Sequence, residues 1–507
     1  MFAVNDVVSS LGNIYLQMYS DHMTIKRSDL LAKQEANFQS LKQSLVGTRI
    51  YEDLNLSYIY SYDEFVGHVP VLTYDDYAPY VEEVEARKPN ILFKDKIRHF
   101  GLSSGTSGKD SKRVPYNEGM IELFIKGQKR VASRLSRLEP EVNLLKAPRL
   151  TFGSDPCLYT RNGFEFGYIS GILSTRVPRT LERITFPSPE VLALSDWDQK
   201  IERLIMEAIP KDIQVLSGIP TYIISILEAV LAKTGKSCIR EIWPHLKVFI
   251  YSATPIKQYK ERIDHLVGHE LNYYGIYAST EGLIGLPYAK YSNGRQRYFL
   301  NPDLLYSFSE VQGDQRDLGV HEIALGEPYY LNVGTPNGFI HYSMKDVVQF
   351  SEIKGDLVFE FVGRKSVGMN LASEKVSEEE ILDCYLQVKK SSPADLKHFF
   401  LSPSPQGGPA AYHWTLFTEA PHEIDAVKMA EVLDRTLQDM NGDYQDCREV
   451  GVLGPAQVRL LSAEPLQRYF ENHRAKGQLK LKTTFETVEE YQRFLRTHLG
   501  IPGGVLQ

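Results

Sequence analysis

Apolar residues recur at helical spacing in several stretches of the chain, and short continuous apolar runs lie between them. Near the start, Leu11, Ile14, Tyr15 and Met18 fall on one helical face, so residues 1 to about 45 read as a helical N-terminal arm. Ile97 to Leu102 is a short strand-like run that ends in a Ser/Gly/Thr loop, and Gly119 to Leu138 is helix-compatible, which places the loop between a strand and a helix. Helical periodicity from Trp197 to Ala208, Tyr222 to Lys233 and Ile256 to Val267 alternates with the apolar runs Ile213–Ser217, Leu246–Tyr251 and Leu271–Tyr277. Such alternation predicts an α/β fold with a mainly parallel sheet, helices on its faces, and ligand-binding loops at the carboxyl ends of the strands.

From about residue 296 the texture changes to short strands with turn residues, including Tyr329–Val333, Phe339–Tyr342 and Val347–Phe350. The run Val358–Val362 then meets Gly363-Arg364-Lys365. The expected division is a large domain over 1–362, a hinge at 363–365 and a small α+β domain over 366–507. The small domain is predicted from helices Ser377–Val388 and Glu423–Met440 and strands Lys397–Leu401, Tyr412–Phe417 and Val458–Leu461.

Composition narrows the function classes. A chain of 507 residues exceeds one ordinary core, in line with two domains. Its 57 Lys and Arg against 64 Asp and Glu leave a net charge of −7, so the basic footprint of a nucleic-acid binder is missing. The cysteines Cys157, Cys238, Cys384 and Cys447 form neither a CxxC pair nor a disulfide framework, which points to a reducing, cytoplasmic setting. No basic leader and no apolar run of membrane-spanning length is evident, so no membrane association is expected. Nothing in the sequence demands more than a monomer.

Three segments carry candidate chemistry. Ser103, Ser104, Gly105, Thr106, Ser107 and Gly108 offer small residues, hydroxyls and backbone N–H groups that can crowd round an anion. The loop is not a Walker A motif, because the glycines are too close and Lys109 is followed by Asp110. Lys112 is a point charge within reach of outer phosphates. The plain alternative is a Ser/Gly surface loop. Tyr277, Ala278, Ser279, Thr280 and Glu281 follow an apolar strand, where Glu281 is either a carboxylate for Mg²⁺ or a helix cap. Asp346 lies between two strand-like runs, as an acceptor for vicinal ribose hydroxyls or as part of a polar Lys345-Asp346 hairpin turn.

In this order the three segments closely resemble the nucleotide motifs of the Gretchen Hagen acyl-acid amido synthetases, the auxin-responsive-promoter family, and the length is similar to that of bacterial members. The resemblance continues at Trp243-Pro244-His245-Leu246, Phe361 to Lys365, Glu374 to Glu378 and Gly477 to Lys480. It implies an adenylate-forming, firefly-luciferase-like fold with mixed sheets in a large domain, a small mobile C-terminal domain, ATP and Mg²⁺ as cofactors, and an acyl acid and an amino acid as substrates. A carboxylate would attack the α-phosphate of ATP, and an amine would then attack the acyl-adenylate, with no acyl-enzyme. By the same resemblance Ser103 to Ser107 and Lys112 hold phosphates, Ser252, Ala253 and Tyr277 to Thr280 line the nucleotide crevice, Glu281 serves Mg²⁺ and Asp346 binds ribose. Arg364 sits at the hinge, and Lys480 reaches the α-phosphate. Tyr168, Ile169, Ser170, Gly218, Ile219 and Tyr222 line the acyl pocket, where plain core packing is the alternative.

Two departures stand out. The third motif of the family usually reads Tyr-Arg-x-Gly-Asp, and here Tyr342 is followed by Ser343, Met344, Lys345 and Asp346. The family's Lys-x-Pro-Arg is here Lys480-Leu481-Lys482-Thr483. An acyl-CoA ligase shares the first half-reaction, and a non-catalytic nucleotide-binding protein would retain the motifs without turnover.

Overall fold

The computed structural model describes residues 27–501, except 104–111, 155–156, 178, 195, 312–315, 365–367, 373, 375, 393–394, 405–409, 450 and 474–480. The described residues fall into two units, one running to Phe361 and one from Val362. Of the helical arm, Arg27–Leu45 is a helix; Leu11, Ile14, Tyr15 and Met18 lie outside the described residues.

In the large unit, the three alternating apolar runs supply the last three strands of a five-stranded sheet, in the order Thr185–Phe186, Arg149–Thr151, Val215–Gly218, Val248–Tyr251 and Asn272–Gly275. Every pairing in it is parallel. Helices between the strands return the chain to the same end, so the strands' carboxyl ends lie together. Pro220–Thr234 shows how the sequence sets such a helix. Proline opens its first turn, and Gly235 ends it at φ +67°, a left-handed conformation that glycine adopts without a Cβ clash. Ile223, Leu227, Trp243 and Phe249 pack the sheet's core.

The region of short strands forms a second sheet of eight, in the order Tyr277–Ser279, Gly282–Pro287, Tyr298–Leu300, Asp356–Arg364, Tyr342–Ile353, Pro328–Gly334, Leu305–Glu310 and Asp317–Leu318. Its pairings are largely antiparallel. A third sheet joins Arg113–Tyr116, His99–Leu102, Phe164–Gly167 and Tyr159–Arg161. One hydrophobic core, including Phe100, Phe166, Leu283, Tyr306 and Phe359, lies beneath both.

Three local expectations need correction. The loop after Leu102 does not lead into a helix. Arg113–Tyr116 pairs antiparallel with His99–Leu102, so a strand comes before the helix, and Glu118–Leu138 starts only at the Asn117 cap, whose side chain accepts from Met120 N at 2.9 Å. Asp346 is in no turn, because Tyr342–Ile353 is one continuous strand. Glu281 caps no helix and lies between the strands Tyr277–Ser279 and Gly282–Pro287.

The small unit is α+β. Strands Leu396–Pro403, Tyr412–Thr418 and Gln457–Ser462 form a sheet, antiparallel in the first pairing and parallel in the second. One face packs on the helices Glu378–Ser391 and Ala426–Met440 through Phe399, Trp414 and Leu437. The other packs on Val488–Phe494 through Phe400, Phe417 and Tyr491.

Each unit buries a histidine that stays neutral. His341 is 1% exposed, with Nε2 2.5 Å from Ser307 Oγ and Nδ1 2.8 Å from Val69 O. Burial pushes it down to about 4 against a weaker upward pull from Asp317. His413, 7% exposed, is pushed to about 4 by burial and then by Arg459. A histidine whose folded value lies below its unfolded value of about 6.5 leaves the unfolded chain binding more protons between the two. Its stabilisation is therefore whole above pH ~6.5 and lost as pH falls. Urea unfolding followed separately for the two units is expected to show a plateau above pH ~7 and a loss of roughly 2 kcal/mol per histidine by pH 5. A profile flat to pH 5 would contradict this burial.

Candidate functional site

The three sequence motifs, far apart in the chain, are closed on one another by three side-chain hydrogen bonds. Tyr116 Oη, from the strand Arg113–Tyr116, donates to Thr280 O at 2.7 Å. Lys112 Nζ, directly before that strand, donates to Tyr342 Oη at 3.0 Å. Tyr277 Oη donates to Asp346 Oδ2. Each motif thereby touches the other two, across 164, 230 and 69 residues of chain.

Local geometry explains each contact. Ser103 N donates to Lys112 O at 3.0 Å and Lys112 N to Ser103 Oγ at 3.2 Å, so these residues clamp the loop's base. The Lys112 ammonium lies over the rings of Tyr74 and Tyr342, 5.5 and 5.6 Å from their centroids. Tyr74 in turn accepts from Arg113 N at 2.8 Å. A Cβ on Gly101 would sit 2.4 Å from the Tyr116 ring, so glycine at that position lets the tyrosine cross the strand pair to Thr280. Ser104, Gly105, Thr106 and Ser107 lie outside the described residues, as does Lys480. Arg364 ends the strand Asp356–Arg364, and its side chain is outside them too.

Ser252 and Ala253 follow the parallel strand Val248–Tyr251, and Ile276 N donates to Tyr251 O at 2.9 Å. Two adjacent strand ends thus deliver Ser252-Ala253 and Tyr277 side by side. Ala253 holds φ +74°, a left-handed conformation that an alanine adopts only under the constraint of its surroundings.

Glu281 is 6% exposed and forms no ion pair among the described residues. Its charge is felt, since it helps raise both Tyr116 and Tyr74, after the larger effect of their burial. A buried carboxylate without a protein cation suits a divalent ion that takes its other ligands from phosphate oxygens and water. No cluster of three His, Cys, Asp or Glu side chains suited to a metal occurs among the described residues, so Glu281 fits such an ion as a single carboxylate.

Three of the predicted acyl-pocket residues, Ser170, Gly218 and Tyr222, meet a common neighbour. Tyr168 precedes the helix Ile169–Ser174, and Ser170 Oγ accepts from Ser154 N and donates to Ser154 Oγ, both at 3.2 Å. Gly218 ends its strand at φ +152°, where a Cβ would meet Phe152 O at 2.8 Å. Ile219 precedes the helix Pro220–Thr234, and Tyr222 packs its ring on Phe152 at 5.7 Å. That neighbour is Phe152-Gly153-Ser154, which the sequence reading passed over. The signal was present: small residues directly after the strand Arg149–Thr151. Tyr74 and Tyr116 were missed as well, and no local pattern marks a tyrosine whose partner is distant.

Comparison with known proteins places these features in context. Residues 23–203 match the GH3 family N-terminal domain, and residues 384–489 match the GH3 family C-terminal domain. Among curated proteins, the chain is 20% identical to the 4-substituted benzoates-glutamate ligase GH3.12 of Arabidopsis thaliana, over 84% of this chain and 88% of that one. It is 22% identical to the jasmonoyl-L-amino acid synthetase JAR4 of Nicotiana attenuata, over 84% and 86%. In fold it is similar to the GH3.15 acyl acid amido synthetase, with TM-score 0.78 at 15% identity over 95% of both chains. It is also similar to a 2-hydroxyisobutyryl-CoA ligase, with TM-score 0.59 at 14% identity over 94% of both. The fold is therefore that of the adenylate-forming enzymes.

The altered third motif still builds a bulge. Tyr330 pairs with Val347 and Asn332 with Ser343, leaving extra residues on the Asp346 strand, and Lys345 takes φ +57°. Lys345 stands where the usual motif has glycine, in a conformation that disfavours a side chain by about 1–2 kcal/mol. Lys345→Gly is expected to keep or raise the melting temperature, whereas β-branched Lys345→Val should lower stability by about 1–2 kcal/mol. Equal stability of all three proteins in thermal unfolding would contradict the bulge.

Proposed function

The chain belongs to the GH3 family, and on that premise we propose that it is an ATP-dependent ligase that adenylates a carboxylic acid and passes the acyl group to the amine of an amino acid. The observation that carries this reading is the closure of the three nucleotide motifs by Tyr116–Thr280, Lys112–Tyr342 and Tyr277–Asp346. It supports one preformed nucleotide site at the carboxyl end of the parallel sheet.

Roles follow from the chemistry of each group. Ser103 to Ser107 and Lys112 hold the phosphates. Asp346, oriented by Tyr277, accepts from the ribose hydroxyls. Ser252, Ala253 and Tyr277 to Thr280 line the crevice. Glu281 holds Mg²⁺, which supplies charge neutralisation on the phosphates. Tyr168, Ile169, Ser170, Gly218, Ile219 and Tyr222, with Phe152 to Ser154, surround the acyl group. A carboxylate oxygen attacks the α-phosphorus, the bond to pyrophosphate breaks, and the amine then displaces AMP from the acyl carbon. Because no side chain need form a covalent bond, catalysis rests on positioning and charge.

The small domain is read as turning about 363–365, with Arg364 at the hinge and Lys480 reaching the α-phosphate. Lys482, the nearby alternative, is held by Glu490 at 2.6 Å, which favours Lys480 for that task. The four cysteines are free thiols, which supports a reducing, cytoplasmic setting. No described helix is long and apolar enough to cross a membrane.

A screen of AMP release over acids and amino acids tests the reading. Release is expected to require an acid, to be accompanied by an amide product, and to fall roughly 10²–10³-fold in Lys480→Ala. Consumption of the adenylate by coenzyme A and by no amine would move the chain to the acyl-CoA ligases, and absence of turnover with every acid would leave a nucleotide-binding protein.

A further inference from the structure

The sheet of the small unit sets Ser402, His413, Thr415 and Arg459 on one face, through the register pairs Ser402–His413, His413–Gln457 and Thr415–Arg459. Tyr491, from the helix Val488–Phe494, lies against them with its hydroxyl hydrogen-bonded to Thr415 Oγ1. His413 is 7% exposed, and its Nδ1 has no hydrogen-bond partner among the described residues. Arg459 is partly buried, and its Nη1 is fully buried with no partner among the described residues either. Two orphaned groups, one a permanent cation, thus sit on neighbouring strands of one face. Buried polar atoms and cations are ordinarily matched.

Two other cations of the unit follow that rule, whereas buried His398 Nε2 and Trp414 Nε1, like His413 Nδ1, have no hydrogen-bond partner among the described residues. Arg448 Nη2 meets Asp434 at 2.9 Å, with Nε and Tyr444 on the same carboxylate, and Lys482 meets Glu490 at 2.6 Å. Arg459 has no such acid among the described residues. The histidine reports the same imbalance, because the effects on it after burial include Arg459 and no carboxylate. Tyr491 likewise feels its burial, Thr415 and Arg459, and no acid.

We propose that Arg459 and His413, backed by the Tyr491 hydroxyl, form an oxyanion-binding site in the small unit that takes the carboxylate or phosphate group of a small molecule. The guanidinium offers paired donors that match two oxygens, and the imidazole Nδ1–H offers a third. Gln457–Ser462 is the edge strand of its sheet and only partly covered, which leaves Arg459 reachable from solvent. The site shares no residue with the nucleotide motifs, so it stands or falls apart from the ligase reading.

Histidine-selective NMR of the full chain, titrated at constant ionic strength with inorganic phosphate and separately with glutamate, tests it. One imidazole signal, identified by its absence in His413→Gln, is expected to shift saturably with at least one of the two, and the anion that saturates it identifies the source. Affinity should fall about tenfold or more in Arg459→Gln and by less in Arg459→Lys, with acid-dependent pyrophosphate exchange unchanged. If Arg459→Gln does not fold, Arg459→Lys carries the comparison. A His413 signal that responds to neither anion, or that saturates alike in wild type and the arginine variants, would overturn the proposal.

Discussion

Asp346 is a fully buried carboxylate, and the hydroxyl of Tyr277 donates to it. A charge taken out of water in this way needs donors held in place, or it shifts the chain around it. Tyr277 can meet it because the last parallel strand, Asn272–Gly275, runs through Ile276 into the first strand of the eight-stranded sheet. The hydrogen bond therefore sits where the parallel and antiparallel sheets join. From the same junction the backbone of Thr280 receives Tyr116, and the Asp346 strand begins at Tyr342, which receives Lys112.

This arrangement explains why a changed motif keeps its geometry. Met344 and Asp346 are buried while Lys345 is exposed, so the bulge turns the lysine out to solvent and the carboxylate inwards. Packing on both sides holds the backbone in a conformation that the lysine itself disfavours. The long ammonium stem tolerates that position because it projects into water rather than into the core.

Much of the fold was legible where the pattern is long. Trp197–Ala208, three of the five strands of the parallel sheet and the small α+β unit were readable from helical spacing or apolar runs, whereas Arg149–Thr151 and Thr185–Phe186 are too short to register. Arg113–Tyr116 was not, since four residues with a proline among them carry no period, and their strand character comes from pairing with Phe100. Asp346 read as a hairpin turn or a ribose acceptor because Lys-Asp is locally polar; its strand comes from pairing with Pro328–Gly334, which the local sequence does not show. The site's residue types were legible through their order along the chain. Of the tyrosines that bind the motifs together, Tyr277 and Tyr342 stand within motifs, whereas Tyr116 was not legible, because its partner is set by tertiary structure alone.

The central claim is that Asp346, held by Tyr277, reads the ribose of the nucleotide. Equilibrium binding of ATP, 2′-deoxy-ATP and 3′-deoxy-ATP to wild type and to Asp346→Ala tests it most directly. Wild type is expected to favour ATP by about tenfold over at least one deoxy form, and Asp346→Ala to bind all three with nearly equal affinity. The same preference for ATP in both proteins would contradict the account.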